Sequence, residues 1–188
     1  AGGRTEQLPT GMVSVVQQGN AYHMYRKRGA NSAIPAESLE RALRDALASR
    51  AAALFISGYT LLNEGCREAL AAAASSAALA QVIAMDPASI DAMSVIGRPG
   101  VLSAAHVCTY LLPNEEEACW LAQEQDAEAA ARALHQVTGA TIALKLGARG
   151  ALLCAGDAVT YVPGVPVEAL DVTGAGDSFA AAFVSACA

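Results

Sequence analysis

The chain lacks most of what would direct it to a metal cluster, a nucleic acid or a bilayer. Its five cysteines, Cys66, Cys108, Cys119, Cys154 and Cys187, stand singly with no C-x-x-C pair, and its three histidines, His23, His106 and His135, are equally scattered. That spacing argues against a zinc ribbon or a disulfide framework and fits reduced thiols packed as small apolar groups, so a cytoplasmic protein is expected. Basic charge is scarce: 12 Lys and Arg against 18 Asp and Glu leave a net charge of −6, the wrong sign for nonspecific nucleic-acid binding. Long apolar runs are missing as well. The most apolar stretch, Ala69 to Ala84, is broken by Ser75, Ser76 and Gln81 and falls short of a membrane span. The opening residues carry Arg4 and Glu6 with no apolar h-region, which does not read as a secretory leader.

What is present is an alternation of short apolar strands and helices. Met12 to Gln18 and Ala21 to Arg28 read as a hairpin about Gly19-Asn20, and Arg26, Lys27 and Arg28 read as a solvated strand edge. A helix is expected from Ala36 to about Ser49, a buried strand at Ala53 to Ser57, and a long alanine-rich helix from Asn63 to about Ala80. Strands follow at Gln81 to Met85 and Val107 to Leu112, helices at Asn114 to Gln123 and Asp126 to Val137, and a strand at Thr141 to Leu146. A second hairpin, Ala151 to Cys154 with Val159 to Val162, comes next, then a β-leaning stretch at Val165 to Leu170 and a helix from Ser178 to Ala188. Strands with so little polar alternation belong in a sheet covered on both faces. The expected fold is therefore α/β, a layered helix-sheet-helix arrangement on a mostly parallel sheet, with one domain over 1–188 and the hairpin 12–28 beside it. In such sheets the strand C-termini gather the ligand-binding loops, here Gly58-Tyr59, Asp86, Asn114, Gly147 and Gly174.

The most informative segment is D-V-T-G-A-G-D-S-F, Asp171 to Phe179. It places a glycine turn and a carboxylate at the start of a helix. There the N–H groups of Gly174, Ala175 and Gly176 are expected to converge on one anion, aided by the helix dipole. Asp177 beside them would repel that anion unless it serves a second group that must lose a proton, as a hydroxyl attacking a phosphoryl group does. The plainer alternative is a tight turn followed by ordinary helix capping. A dinucleotide fingerprint fits poorly, because the third glycine of G-x-G-x-x-G is absent.

Taken with T-G at 10–11, G-A-N at 29–31, S-G-Y at 57–59, D-P at 86–87, L-L-P-N-E-E-E at 111–117 and K-L-G-A-R-G-A at 145–151, this segment closely resembles the ribokinase-like, phosphofructokinase-B type carbohydrate kinases over nearly the whole chain. The resemblance implies ATP-dependent phosphorylation of a hydroxyl on a sugar or related small molecule. It implies Asp177 as catalytic base and Gly174, Ala175 and Gly176 as the anion hole. Asn114 and Glu117 match its N-x-x-E pair, associated with Mg2+ and the nucleotide phosphates; Asn114 also suits a helix N-cap. Lys145, Gly147 and Thr173 fall along the nucleotide side, and Asp171 with Thr173 at the start of a K+ loop. Asn31 and Tyr59 fall on the acceptor side. A homodimer through the hairpin, acting as a lid, is a further implication.

The family opens with a strand, an acceptor-contacting Asp and G-G-x-x-x-N, and continues past the helix that carries the base. Gly2-Gly3 lies too near Thr10 to be that motif. The chain is thus expected to be a fragment, with apolar surface exposed where strands are missing and with negligible turnover on its own. The acidic residue that ribose-specific relatives carry near Ser57-Gly58-Tyr59 is absent, and Arg26 to Arg28 could instead meet an acidic or phosphorylated sugar. A nucleoside kinase, a hydroxymethylpyrimidine or pyridoxal-like vitamin kinase, and a nucleotide-binding module without turnover remain as alternatives.

Overall fold

A computed structural model describes residues 8–18, 21–48, 53–74 and 82–188. The expected hairpin turn at Gly19-Asn20, the far end of the alanine-rich helix, Gln81, Arg4, Glu6 and Gly2-Gly3 lie outside the described residues.

Strands β1 (Met12–Gln18) and β2 (Ala21–Lys27) pair antiparallel as a separate two-stranded sheet. The main sheet has six strands in the order of the sequence: β3 (Ala53–Ser57), β4 (Val82–Asp86), β5 (Tyr110–Leu111), β6 (Thr141–Lys145), β7 (Gly150–Ala155) and β8 (Ala158–Pro163). The first four run parallel and the last two antiparallel, so the sheet is mixed. The cause is local. A parallel partner needs a crossover, and helices supply one between β3 and β6, whereas only residues 146–149 and the turn at Gly156-Asp157 separate β6, β7 and β8. At Gly150 a φ of 104° and the carbonyl of Val162, 2.0 Å from where a Cβ would sit, require glycine.

The helices are α1 (Ala36–Ala48), α2 (Glu64–Ala74), α3 (Ile90–Ile96), α4 (Arg98–Ala105), α5 (Glu115–Ala122), α6 (Ala127–Thr138) and α7 (Ala175–Cys187). Asp126 Oδ1 accepts the N–H of Ala129 at the start of α6, and Gly139, left-handed at φ 74°, ends it. The main core lies between α1–α6 and the sheet, with Leu61, Ile83, Met85, Met93, Leu111, Leu121, Leu134, Ile142 and Leu144 fully buried. A smaller cluster on the other face joins Ala84, Leu112 and Ala143 to Ala180 of α7, with Phe179, Phe183 and Tyr110 packed around it. Apolar side chains are exposed on β1, where Met12, Val13, Val15 and Val16 face outward, and on the edge strand at Phe55.

Three expectations need correction. The strand expected at Val107 to Leu112 is shorter: only Tyr110–Leu111 joins the sheet, and α4 over Arg98–Ala105 precedes it. Gly97 at φ 83° closes α3 and opens α4, with Pro99 in the first turn, where its missing N–H costs nothing. Val165 to Leu170 forms no strand; Val165, Val167 and Leu170 are almost wholly exposed, so β-leaning residues without a neighbouring strand stay irregular. The last helix begins at Ala175 rather than Ser178, which puts Asp177 inside its first turn.

Candidate functional site

The C-terminal ends of the parallel strands open into a cavity of about 1010 Å³, and all five loops expected there contribute to it through Tyr59, Asp86, Asn114, Gly147 and Gly174. Ala175, Gly176, Asp177, Glu117 and Lys145 complete its polar wall, while Phe55, Val167 and Phe179 form part of an apolar one.

Gly174 takes φ 78° to turn the chain into α7 and caps it without a side chain. The amide cup differs from expectation in one member. The N–H of Ala175 is donated to the carbonyl of Val172 at 3.1 Å, and the first helical bond runs from Ser178 N–H to Gly174 O at 2.9 Å. With Ala175 engaged in the turn, the geometry of a helix start leaves the amides of Gly174, Gly176 and Asp177 without a helical acceptor. A Cβ on Gly176 would meet only the Lys145 ammonium, at 3.7 Å, so the glycine keeps open space beside the cup. Asp177 is exposed on the cavity wall.

Across from it, Asn114 caps α5. Its Oδ1 accepts the N–H of Glu117 at 2.9 Å, the Asn114 N–H is donated to Glu117 Oε2 at 2.9 Å, and its Nδ2 to Oε1 at 2.8 Å. This is a reciprocal capping box. Burial pushes the Glu117 carboxyl up to about 7; the negative charge of Asp86 adds to the rise, while the Asn114 N–H and Lys145 oppose it. Lys145, at the end of β6, is bridged to Asn114 as a parallel neighbour, and its Nζ pairs with Asp86 Oδ2 at 2.6 Å. Asp86 also accepts the N–H of Ala88, which shapes the loop after β4.

The remaining candidates fall elsewhere. Asp171 and Thr173 form a tight turn in which Asp171 Oδ1 accepts the Thr173 N–H at 2.8 Å, a bond that lowers the Asp171 pKa; neither residue lines the cavity. Asn31 is exposed beyond the cavity lining, and its carbonyl accepts from Asn63 Nδ2 at 3.1 Å. Tyr59 does line it, and Arg26 of β2 stacks on its ring at 4.9 Å and donates to its hydroxyl. Asp86 is the residue that sequence reasoning undervalued. Its signal was a carboxylate ending an apolar strand, but its partner lies 59 residues away.

The donor set suits a hard cation held through water. Both Glu117 oxygens are engaged with Asn114, so spare lone pairs are left for a hydrated ion rather than a dry cage. Among the described residues no three His, Cys, Asp or Glu side chains form a metal cluster, and no helix is long and apolar enough to cross a membrane.

Comparison with known proteins gives a consistent picture. A family model described as pfkB family carbohydrate kinase matches residues 3–188. A ribokinase of Bacillus subtilis (strain 168) is 42% identical over 80 residues, 43% of this chain and 26% of that protein. The crystal structure of a ribokinase from Thermotoga maritima superposes with a TM-score of 0.74 at 26% identity over 96% of this chain and 57% of its own length. An Anopheles gambiae adenosine kinase, in complex with P1,P4-di(adenosine-5) tetraphosphate, matches with a TM-score of 0.80 over 98% of this chain and 58% of its own; at 22% identity it shares the fold alone. The chain thus spans little more than half the length of these solved relatives.

Proposed function

Since this chain belongs to the pfkB family of carbohydrate kinases, we propose that it carries the phosphoryl-transfer side of an ATP-dependent kinase acting on a hydroxyl of a sugar or related small molecule. The observation that carries the reading is that Asp177, the glycine turn, the Asn114–Glu117 pair and Lys145 all border one open cavity at the sheet's C-terminal edge. Asp177 accepts the proton of the acceptor hydroxyl as its oxygen bonds to the γ-phosphorus and the bond to the departing ADP breaks. The amides of Gly174, Gly176 and Asp177 stabilise the charge on the migrating group, and Ala175 shapes the turn that presents them. Gly147 lies along the phosphate side. Asn114 and Glu117 would hold Mg2+ through its waters, and the ion would supply charge neutralisation to the phosphates. Thr173 and Asp171 contribute to a K+ loop on the nucleotide side; Tyr59 faces the acceptor, and Asn31, outside the cavity lining, belongs to the acceptor side with the hairpin.

On this reading residues 1–188 form a single domain with hairpin 12–28 as its lid. The exposed Met12, Val13, Val15 and Val16 support a homodimer formed through that lid. Cytoplasmic residence suits cysteines that are all free. The 188 residues alone should show negligible sugar phosphorylation.

The test is replacement of Asp177 by Asn in the longest form of the protein that turns over. Turnover should fall by about 10²–10⁴ with ATP binding nearly unchanged; equal turnover would remove Asp177 from the mechanism. A panel of sugars, nucleosides and hydroxymethyl-pyrimidine or pyridoxal-like alcohols, read by ADP release, identifies the acceptor. ATP binding with no acceptor consumed would point instead to a nucleotide-binding module.

A further inference from the structure

Three carboxylates, Asp86, Glu117 and Asp177, border the cavity, and among the described residues Lys145 is the one cationic side chain that lines it. A polyphosphate entering such a site meets acidic groups as well as amides. The placement of Lys145 answers this. Its Nζ sits 2.6 Å from Asp86 Oδ2, both side chains are largely shielded from water at 14% and 19% exposure, and the same ammonium lies 3.7 Å from where a Gly176 side chain would begin. An ammonium has three donors on a compact charge, so one can stay on Asp86 while the others face the cup. In a shielded pair, removing one partner leaves the other charge uncompensated, and that loss exceeds the worth of the contact itself.

We propose that Lys145 is a charge-compensating residue of the phosphate site: it neutralises Asp86 so that a polyphosphate can occupy the amide cup, and at the same time reaches that phosphate from the cup's open side. Asp86 is the positioning residue that holds the ammonium between strand end and cup. The inference rests on the kinase reading but concerns a feature that reading does not require. An anion cup and a catalytic base would work with a neutral residue at 145 if no carboxylate stood at 86.

The experiment is calorimetric titration of the 188-residue chain with ATP and with inorganic tripolyphosphate. Lys145→Met should weaken both by about tenfold or more, since it removes a charge-assisted contact and unmasks a carboxylate. Adding Asp86→Asn to Lys145→Met should recover at least about threefold, because the unmasked charge is gone. Adding Asp91→Asn instead, an exposed carboxylate of α3 outside the cavity lining, should recover nothing. A lysine that only held the fold together would shift the melting temperature in these variants and leave both affinities where they were. Unchanged affinity in Lys145→Met, a double variant no tighter than the single one, or equal recovery with Asp91→Asn overturns the inference while leaving the kinase reading intact. Failure of the unaltered chain to bind either probe overturns both. Circular dichroism checks folding, and Lys145→Gln, neutral but polar, replaces Lys145→Met with the same expected outcomes should the latter not fold.

Discussion

Asn114 and Glu117 close a ring of three hydrogen bonds at the start of α5, each side chain accepting the other residue's backbone N–H at 2.9 Å. One device serves two ends. It satisfies the first turn of the helix, and it holds an amide and a carboxylate on the cavity wall. Asn114→Ala should therefore cost about 1–2 kcal/mol of stability in urea unfolding, the usual loss for a removed N-cap. A loss within a few tenths of a kcal/mol would show that the box contributes nothing.

The same pair sets a pH dependence. Glu117 has a folded pKa of about 7 against an ordinary value of 4.5, because burial disfavours its charge. The folded chain therefore holds more protons than the unfolded chain between those values, and stability must fall as pH rises from about 4.5 to 7. In metal-free buffer the wild type should lose up to about 3 kcal/mol relative to Glu117→Gln across that window, an order-of-magnitude ceiling. Parallel melting curves for the two proteins at every pH would contradict a raised Glu117.

The two glycines of the cup should respond in opposite ways. Gly174 is left-handed, so Gly174→Ala strains the backbone by about 1 kcal/mol although no atom lies within 4 Å of the new Cβ. Gly176 is helical and its Cβ would meet ordinary contact only, so Gly176→Ala should raise stability by up to about 1 kcal/mol. That methyl group would narrow the phosphate space, and ATP affinity should drop while the melting temperature climbs. Tighter ATP binding in Gly176→Ala would place the phosphate elsewhere.

His135 is a structural clamp. Its Nδ1 lies 2.8 Å from the carbonyl of Ala140, so Nδ1 carries the proton, and Nε2 accepts the N–H of Gly156 at 3.0 Å. It ties the end of α6 to the β7–β8 turn. His135→Phe should lower stability by about 1–2 kcal/mol through the two lost bonds, with ATP binding untouched. Altered ATP affinity would show that the clamp reaches the site.

The strand ends that make the cavity were legible because each apolar run stops at a polar or glycine residue, and Asp86, Asn114 and Gly147 mark those stops. The glycine turn was legible in the same way, as was the second hairpin. Less legible was anything decided by distant partners. Lys145 and Asp86 meet across β5, and nothing local to either predicts it. Val165 to Leu170 has strand-forming residues but no neighbour to pair with, and the α3–α4 break at Gly97 hid two helices behind a glycine and a proline. Ala175's amide was miscounted because its acceptor, Val172, belongs to the turn itself.

The helix that carries Asp177 is fastened by a slender set of contacts: Ala180 against Ala84, Leu112 and Ala143, with two phenylalanines alongside. The opposite face of the sheet is backed by the far larger core. Detachment of 175–187 should consequently require less free energy than global unfolding, and its amides should exchange with deuterium sooner than those of β4 or β6. A phosphate lodged at the helix start would then act as a rivet, slowing exchange there first.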